Sequence, residues 1–308
     1  MSKRCIAPLA ACVALAVPAS ASAHARTPTV ALDYRLVLDH ASRTVPGVEV
    51  AILDGDRDLR LTVERGTVTV LGDLGEPMLR IGPDGAYANA ASPTAAAAKV
   101  VSQGSGWKRV GGSSFAWHDH RLSPPPYRSV PGPAGRFAIP AIVDGRHVEF
   151  AGSFVRTVRP SPWAWLAGGV LATVVLVAAI WRRPRLRPEL AIATGSLAVV
   201  AALVALVTFG AADAPNGRVA WVQIALGFGL AAAGATGLLR LHGESRTVLA
   251  GVLGVAAAVS SIGSLGVFRH SVVISLLSPA LARMVATIAI ATGLAAAATL
   301  FVREGRHR

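Results

Sequence analysis

Polar and apolar positions alternate over the first half of this chain and merge into long apolar runs over the second. Five stretches contain no Asp, Glu, Lys, Arg or His: about Trp163–Trp181, Leu190–Gly210, Val219–Leu239, Thr247–Val267 and Met284–Val302. A helix rising about 1.5 Å per residue needs roughly 20 residues to cross about 30 Å of hydrocarbon. Each run meets that length, so residues 161–308 read as an all-α, five-helix transmembrane bundle.

The first half follows a period of two. Val48, Val50 and Ile52 alternate with Glu49 and Ala51, and Leu59, Leu61 and Val63 follow after Asp54-Gly55-Asp56-Arg57-Asp58. Val68 and Val70, then Leu79 and Ile81, keep the spacing. Phe137–Val143 and His147–Val155 flank Asp144-Gly145, a strong hairpin signal. Short strands separated by frequent turns predict an all-β, immunoglobulin-like sandwich over 24–160. Ala90–Ala98 reads as a loop or short helix, and Ser123–Gly135, with its prolines, as a surface loop.

Arginine placement orients the helices. Arg182, Arg183, Arg185 and Arg187 crowd the link after the first run, Arg240 and Arg246 flank that after the third, and Arg303, Arg306 and Arg308 follow the fifth. The opposite links hold only Arg218, and Arg269 with Arg283. Arginine-rich links stay cytoplasmic, which predicts a multi-pass protein of the cell membrane with its N-terminal domain outside and its C-terminus inside. Trp163, Trp165 and Trp221 fall at the outer ends and Trp181 at an inner one, as interfacial anchors.

The beginning of the chain agrees with export. Met1–Arg4 is basic, Cys5–Val17 is a short apolar run, and Ala21-Ser22-Ala23 is a small-residue cleavage site, so 1–23 reads as a signal peptide. Leu9-Ala10-Ala11-Cys12 resembles a lipoprotein box, but the apolar run before Cys12 is too short for one. Cys5 and Cys12 leave with the signal, excluding a disulfide or thiolate metal site afterwards. The formal charge of +13 sits mostly in the predicted cytoplasmic links. It is a topology signal and an attraction to anionic lipid, which sets aside a nucleic-acid partner.

The sharpest candidate chemistry is Trp117-His118-Asp119-His120-Arg121. On a strand, Phe115 and Trp117 would face the core while His118 and His120 point outward together. Two imidazoles so placed, with a third ligand, favour Cu(II), Ni(II) or Zn(II), copper being tightest. Cleavage after Ala23 would leave His24 first, its free amine and imidazole able to grip one copper beside His118 or His120. The competing reading makes both histidines solvated, with Asp119 and Arg121 paired at the sheet edge.

Two resemblances bear on this. A secreted β-domain opening on His24 and followed by membrane helices resembles bacterial copper-resistance domains fused to membrane segments, although the usual opening sequence of that family is missing. Val45-Pro46-Gly47, the run Gly75-Glu76-Pro77-Met78-Leu79-Arg80-Ile81-Gly82-Pro83-Asp84-Gly85 and Trp117-His118-Asp119-His120-Arg121 resemble an uncharacterised membrane-protein family of high-GC Gram-positive bacteria. That resemblance implies the two-part architecture and singles out the His118/His120 segment. Relatives often continue with another histidine and tryptophan, where this chain has Leu122-Ser123-Pro124.

Other chemistry is weaker. Asp54, Asp56 and Asp58 imitate a calcium loop, but Arg65 occupies its closing position. His147 and Glu149 share a strand face opposite Val148 and Phe150 and read as solvated. No nucleophile elbow, phosphate loop or HExxH helix occurs, which argues against an enzyme. The apolar runs lack ionisable groups, Gln223 being their main polar residue, which argues against active transport. Gly227/Ala231, Gly229/Ala233, Ala256/Ser260 and Ser260/Ser264 are small pairs that would let helix backbones approach. Ser271–Ala282, apolar but broken by Pro279, would lie at the outer interface, with His270 beside it. Three functions follow as expectations: extracytoplasmic copper binding, a non-catalytic interaction or sensing module with a protein partner, and, third, a transporter.

Overall fold

A computed structural model of the chain describes residues 32–53, 57–125, 130–212 and 219–301. The signal-like segment, His24 and the last arginines lie outside the described residues. Two compact units emerge, with the change between them at Val158–Arg159.

The N-terminal unit is antiparallel β. Its ten strands are β1 (Tyr34–Leu38), β2 (Val48–Leu53), β3 (Asp58–Val63), β4 (Val68–Leu71), β5 (Pro77–Gly82), β6 (Gly85–Asn89), β7 (Trp107–Gly111), β8 (Ser114–His118), β9 (Gly132–Val143) and β10 (Arg146–Arg156). Short helices α1 (His40–Arg43) and α2 (Pro93–Ala97) interrupt them. Seven strands form one sheet in the order β1-β10-β9-β4-β5-β6-β7, and three form the other as β2-β3-β8. That division is not the near-equal partition of an immunoglobulin domain, and period-two spacing alone cannot supply a strand order.

Alternation placed the core well. Leu59, Leu61 and Val63 from the small sheet and Val68, Val70, Leu79, Ile81 and Ile139 from the large one belong to one buried cluster. The Asp144-Gly145 hairpin forms as expected: Val143 pairs with Arg146, and Asp144 and Gly145 take positive φ of 48° and 80°. Both values suit a primed turn, whose twist matches the strands. Leu53 pairs with Asp58 across the first hairpin, so Asp58 is a strand residue. The proline-rich loop is shorter than expected, because β9 already begins at Gly132. His147 and Glu149 are exposed and Phe150 is buried, as the alternation predicts.

The C-terminal unit holds five helices long and apolar enough to cross a membrane, which marks it as a multi-pass membrane region. They are α3 (Pro162–Arg182), α4 (Arg187–Gly210), α5 (Trp221–Arg240), α6 (Gly243–Ser260) and α7 (Pro279–Ala297). Val170, Leu171, Val174 and Val175 leave α3 broadly apolar and exposed, a surface that a bilayer covers. The helix α7 packs against α3, α4 and α6, and its buried side is mostly Ala and Gly.

Two features differ from expectation. The fourth span tightens to a 3-10 helix over Ser261–Phe268. The fifth starts at Pro279 with Ser278 as N-cap, so the break seen in the sequence is a helix start. Arg283, which the sequence placed in the outer link, therefore belongs to the first turns of the helix and is buried. Its Nε and Nη2 donate to the carbonyls of Val267 (2.8 Å), in the last turn of the 3-10 segment, and of His270 (2.9 Å), just beyond it.

Candidate functional site

The Trp117–Arg121 segment is a corner rather than a continuous strand. Strand β8 ends at His118, and Asp119 caps a 3-10 turn over His120–Leu122 by accepting the Arg121 backbone N–H at 3.0 Å. Aspartate favours this position because its short carboxylate reaches N–H groups ahead of it. Strand alternation therefore stops before it reaches His120, correcting the expectation that one strand presents both imidazoles.

Asp119 is the centre of the corner and is 2 % exposed. Its Oδ1 accepts Arg121 Nε at 2.8 Å, and its Oδ2 accepts Arg121 Nη2 at 2.7 Å. The same Oδ2 accepts Trp117 Nε1 at 3.0 Å. Arg121 Nη1 continues to the Leu71 carbonyl at 3.0 Å, and Asp73 stands 3.9 Å from Arg121 Nε. Burial pushes the Asp119 carboxyl up, but the Arg121 hydrogen bonds and charge, with Trp117, outweigh it and hold it below the usual carboxylate range. Burial likewise lowers Arg121, and Asp119, Asp73 and Glu76 more than reverse this. The expected Asp119–Arg121 pair is thus present, but as a buried brace instead of an edge contact.

Glu76 supports the neighbouring turn. Its Oε1 accepts Ser92 Oγ at 2.7 Å and Thr94 N–H at 3.4 Å, and its Oε2 accepts Leu74 N–H at 3.1 Å. Burial raises its carboxyl, and these donors outweigh burial and lower it to about 2. Ser92 in turn caps α2.

The histidines go to separate carboxylates. His118 Nδ1 lies 3.3 Å from Oδ1 of Asp58, its direct partner across β3–β8. His120 Nε2 lies 3.3 Å from Asp73 Oδ2. The His118 and His120 side chains are 44 % and 63 % exposed, so both remain reachable from solvent. Phe115 and Trp117 stack at 6.5 Å, and Trp117 is buried as expected. Among the described residues, no group of three or more His, Cys, Asp or Glu is arranged to hold a metal.

Asp58, Asp73 and Glu76 were not singled out as partners from the sequence. Arg121 connects the corner to the turn after β4 through the Leu71 carbonyl and Asp73, contacts about 50 residues away in sequence that period and spacing do not signal. No protein-family model matches the chain, and comparisons with curated proteins and with solved structures likewise yield no match.

Proposed function

We propose that this chain is a membrane-anchored, non-catalytic recognition module. Its β-unit lies outside the cell, its C-terminus is cytoplasmic, and its Asp119–Arg121 corner presents His118 and His120 to a protein partner. The observation that carries this reading is that the corner's most buried polar groups bond one another. Asp119, Arg121 and Trp117 form a brace, and each exposed histidine faces its own aspartate, the buried Asp58 for His118 and the part-exposed Asp73 for His120. Rigid polar scaffolding beneath exposed imidazoles suits recognition. The arginine-rich links after α3 and α5 support the orientation.

Copper binding is the second reading, and one observation favours it. A carboxylate on one ring nitrogen orients a histidine for metal at the other, and both histidines have such a carboxylate. One experiment separates the two. The full chain in detergent is titrated with Cu(II), then repeated with His118→Ala and His120→Ala. The recognition reading expects micromolar or weaker binding, unchanged by either substitution. Tighter binding that both substitutions abolish would replace it with the metal reading.

A further inference from the structure

Strand β7 ends the seven-stranded sheet and has a sheet neighbour, β6, on one side only. Its first residues continue an exposed run, Ser102–Arg109. An open edge offers unpaired backbone N–H and C=O groups to any extended chain. Lys108 and Arg109 belong to this edge strand, and Arg80, two strands in on β5, reaches across to the Trp107 ring.

The register sets Arg80 opposite Tyr87 and Tyr87 opposite Arg109, while Trp107 is two residues from Arg109 on the same strand face. Arg80 lies 5.3 Å from the Tyr87 ring centre and 5.1 Å from that of Trp107. Two rings thus hold one guanidinium in place, limiting the rotamer freedom it would lose on binding. Among the described residues, none of Arg80, Lys108 and Arg109 has a carboxylate partner. Arg109 reaches only the Asp84 backbone carbonyl, at 3.3 Å.

We infer that the β7 edge takes an acidic, extended segment of a partner protein, which adds as a strand while carboxylates on one of its faces engage Arg80 and Arg109; Lys108, paired with Ala88, lies on the other face of the sheet. Backbone pairing supplies the register, and the cations supply the choice of partner. Lysine on an open edge deters neutral or basic strands, yet favours an acidic one. A second copy does not fit, because antiparallel pairing of β7 with itself would bring Lys108 and Arg109 against their own kind. None of the histidines takes part, so this surface stands or falls separately from the Trp117–Arg121 corner.

The test uses the full chain in nanodiscs of neutral lipid and a fluorescent peptide of alternating Glu and Val, about six residues long. Binding is read by anisotropy. The peptide binds, and Arg80→Ala and Arg109→Ala each weaken it about ten-fold, while His118→Ala leaves it unchanged. Methylating alternate backbone nitrogens of the peptide, which keeps every charge, abolishes binding. The inference is overturned if the peptide does not bind, or if the methylated peptide binds equally well. Displacement of the peptide by phosphatidylglycerol vesicles would likewise overturn it, assigning the patch to a lipid surface. The methylated probe leaves the protein unaltered, so a misfolded variant cannot imitate the result.

Discussion

Arg121 turns back across one residue to Asp119 and grips both its carboxylate oxygens, Nε to Oδ1 at 2.8 Å and Nη2 to Oδ2 at 2.7 Å. The bend lets the chain leave β8 and start a 3-10 turn while keeping Trp117 in the core.

Removing one half of that pair leaves the other buried without its counter-charge. Arg121→Ala should destabilise the β-unit by about 3 kcal/mol. Arg121→Lys should recover only part of this, since an ammonium cannot make both contacts in one plane. Thermal unfolding followed by tryptophan fluorescence would show it, and an unchanged melting temperature in Arg121→Ala would refute the brace.

Acid should weaken the same end of the unit. Glu76 is lowered from 4.5 to about 2 in the fold, so its contribution is complete above about 4.5 and disappears as pH falls through about 2. Asp119, also lowered, acts in the same direction. Glu76→Gln should flatten the loss of stability between about pH 4.5 and 2, measured by denaturant unfolding across that range.

The histidines should differ in weight. Asp58 is 2 % exposed beside His118, whereas Asp73 is 42 % exposed beside His120. His118→Ala removes a partner from a buried carboxylate and should cost about 1–2 kcal/mol. His120→Ala should cost about 0–1 kcal/mol, as for any exposed pair. Equal losses in chemical unfolding would contradict this ordering.

Helix packing rests on particular glycines. A Cβ on Gly254 would lie 2.7 Å from the Gly293 carbonyl oxygen, and one on Gly293 would lie 2.6 Å from that of Gly254. Gly254→Ala and Gly293→Ala should each cost about 1–3 kcal/mol by forcing α6 and α7 apart. Gly229→Ala, with nothing within 4 Å, should be neutral or stabilising. Detergent-resistance melts of the three variants would test the contrast.

Arg283 should matter as a helix-end donor. Arg283→Leu leaves the Val267 and His270 carbonyls without it and should cost about 1–3 kcal/mol. Hydrogen exchange at 266–270 should rise, and unchanged protection would dismiss the role.

Sequence pattern by itself determined the division into a β half and a helical half, the five apolar spans, the core faces of β3, β4 and β5, and the Asp144-Gly145 turn. Those features depend on neighbours in the chain, through residue period, turn conformation and the length of an apolar run. Tertiary structure alone decided the rest. Strand alternation put His118 and His120 side by side, but the long-range hold of Arg121 on Leu71 and Asp73 accompanies a bend that starts before His120. Small-residue spacing pointed to Gly227 and Gly229, yet the closest reciprocal backbone approach joins Gly254 to Gly293 on different helices. Arg283 read as a loop residue until Pro279 proved to open α7 and the end of the preceding 3-10 segment came within its reach. The Asp119 cap and the Ser278-Pro279 helix start are local, but the partners that Arg121, Gly254 and Arg283 meet lie further away in the chain, and period and composition carry no record of which of those groups will meet.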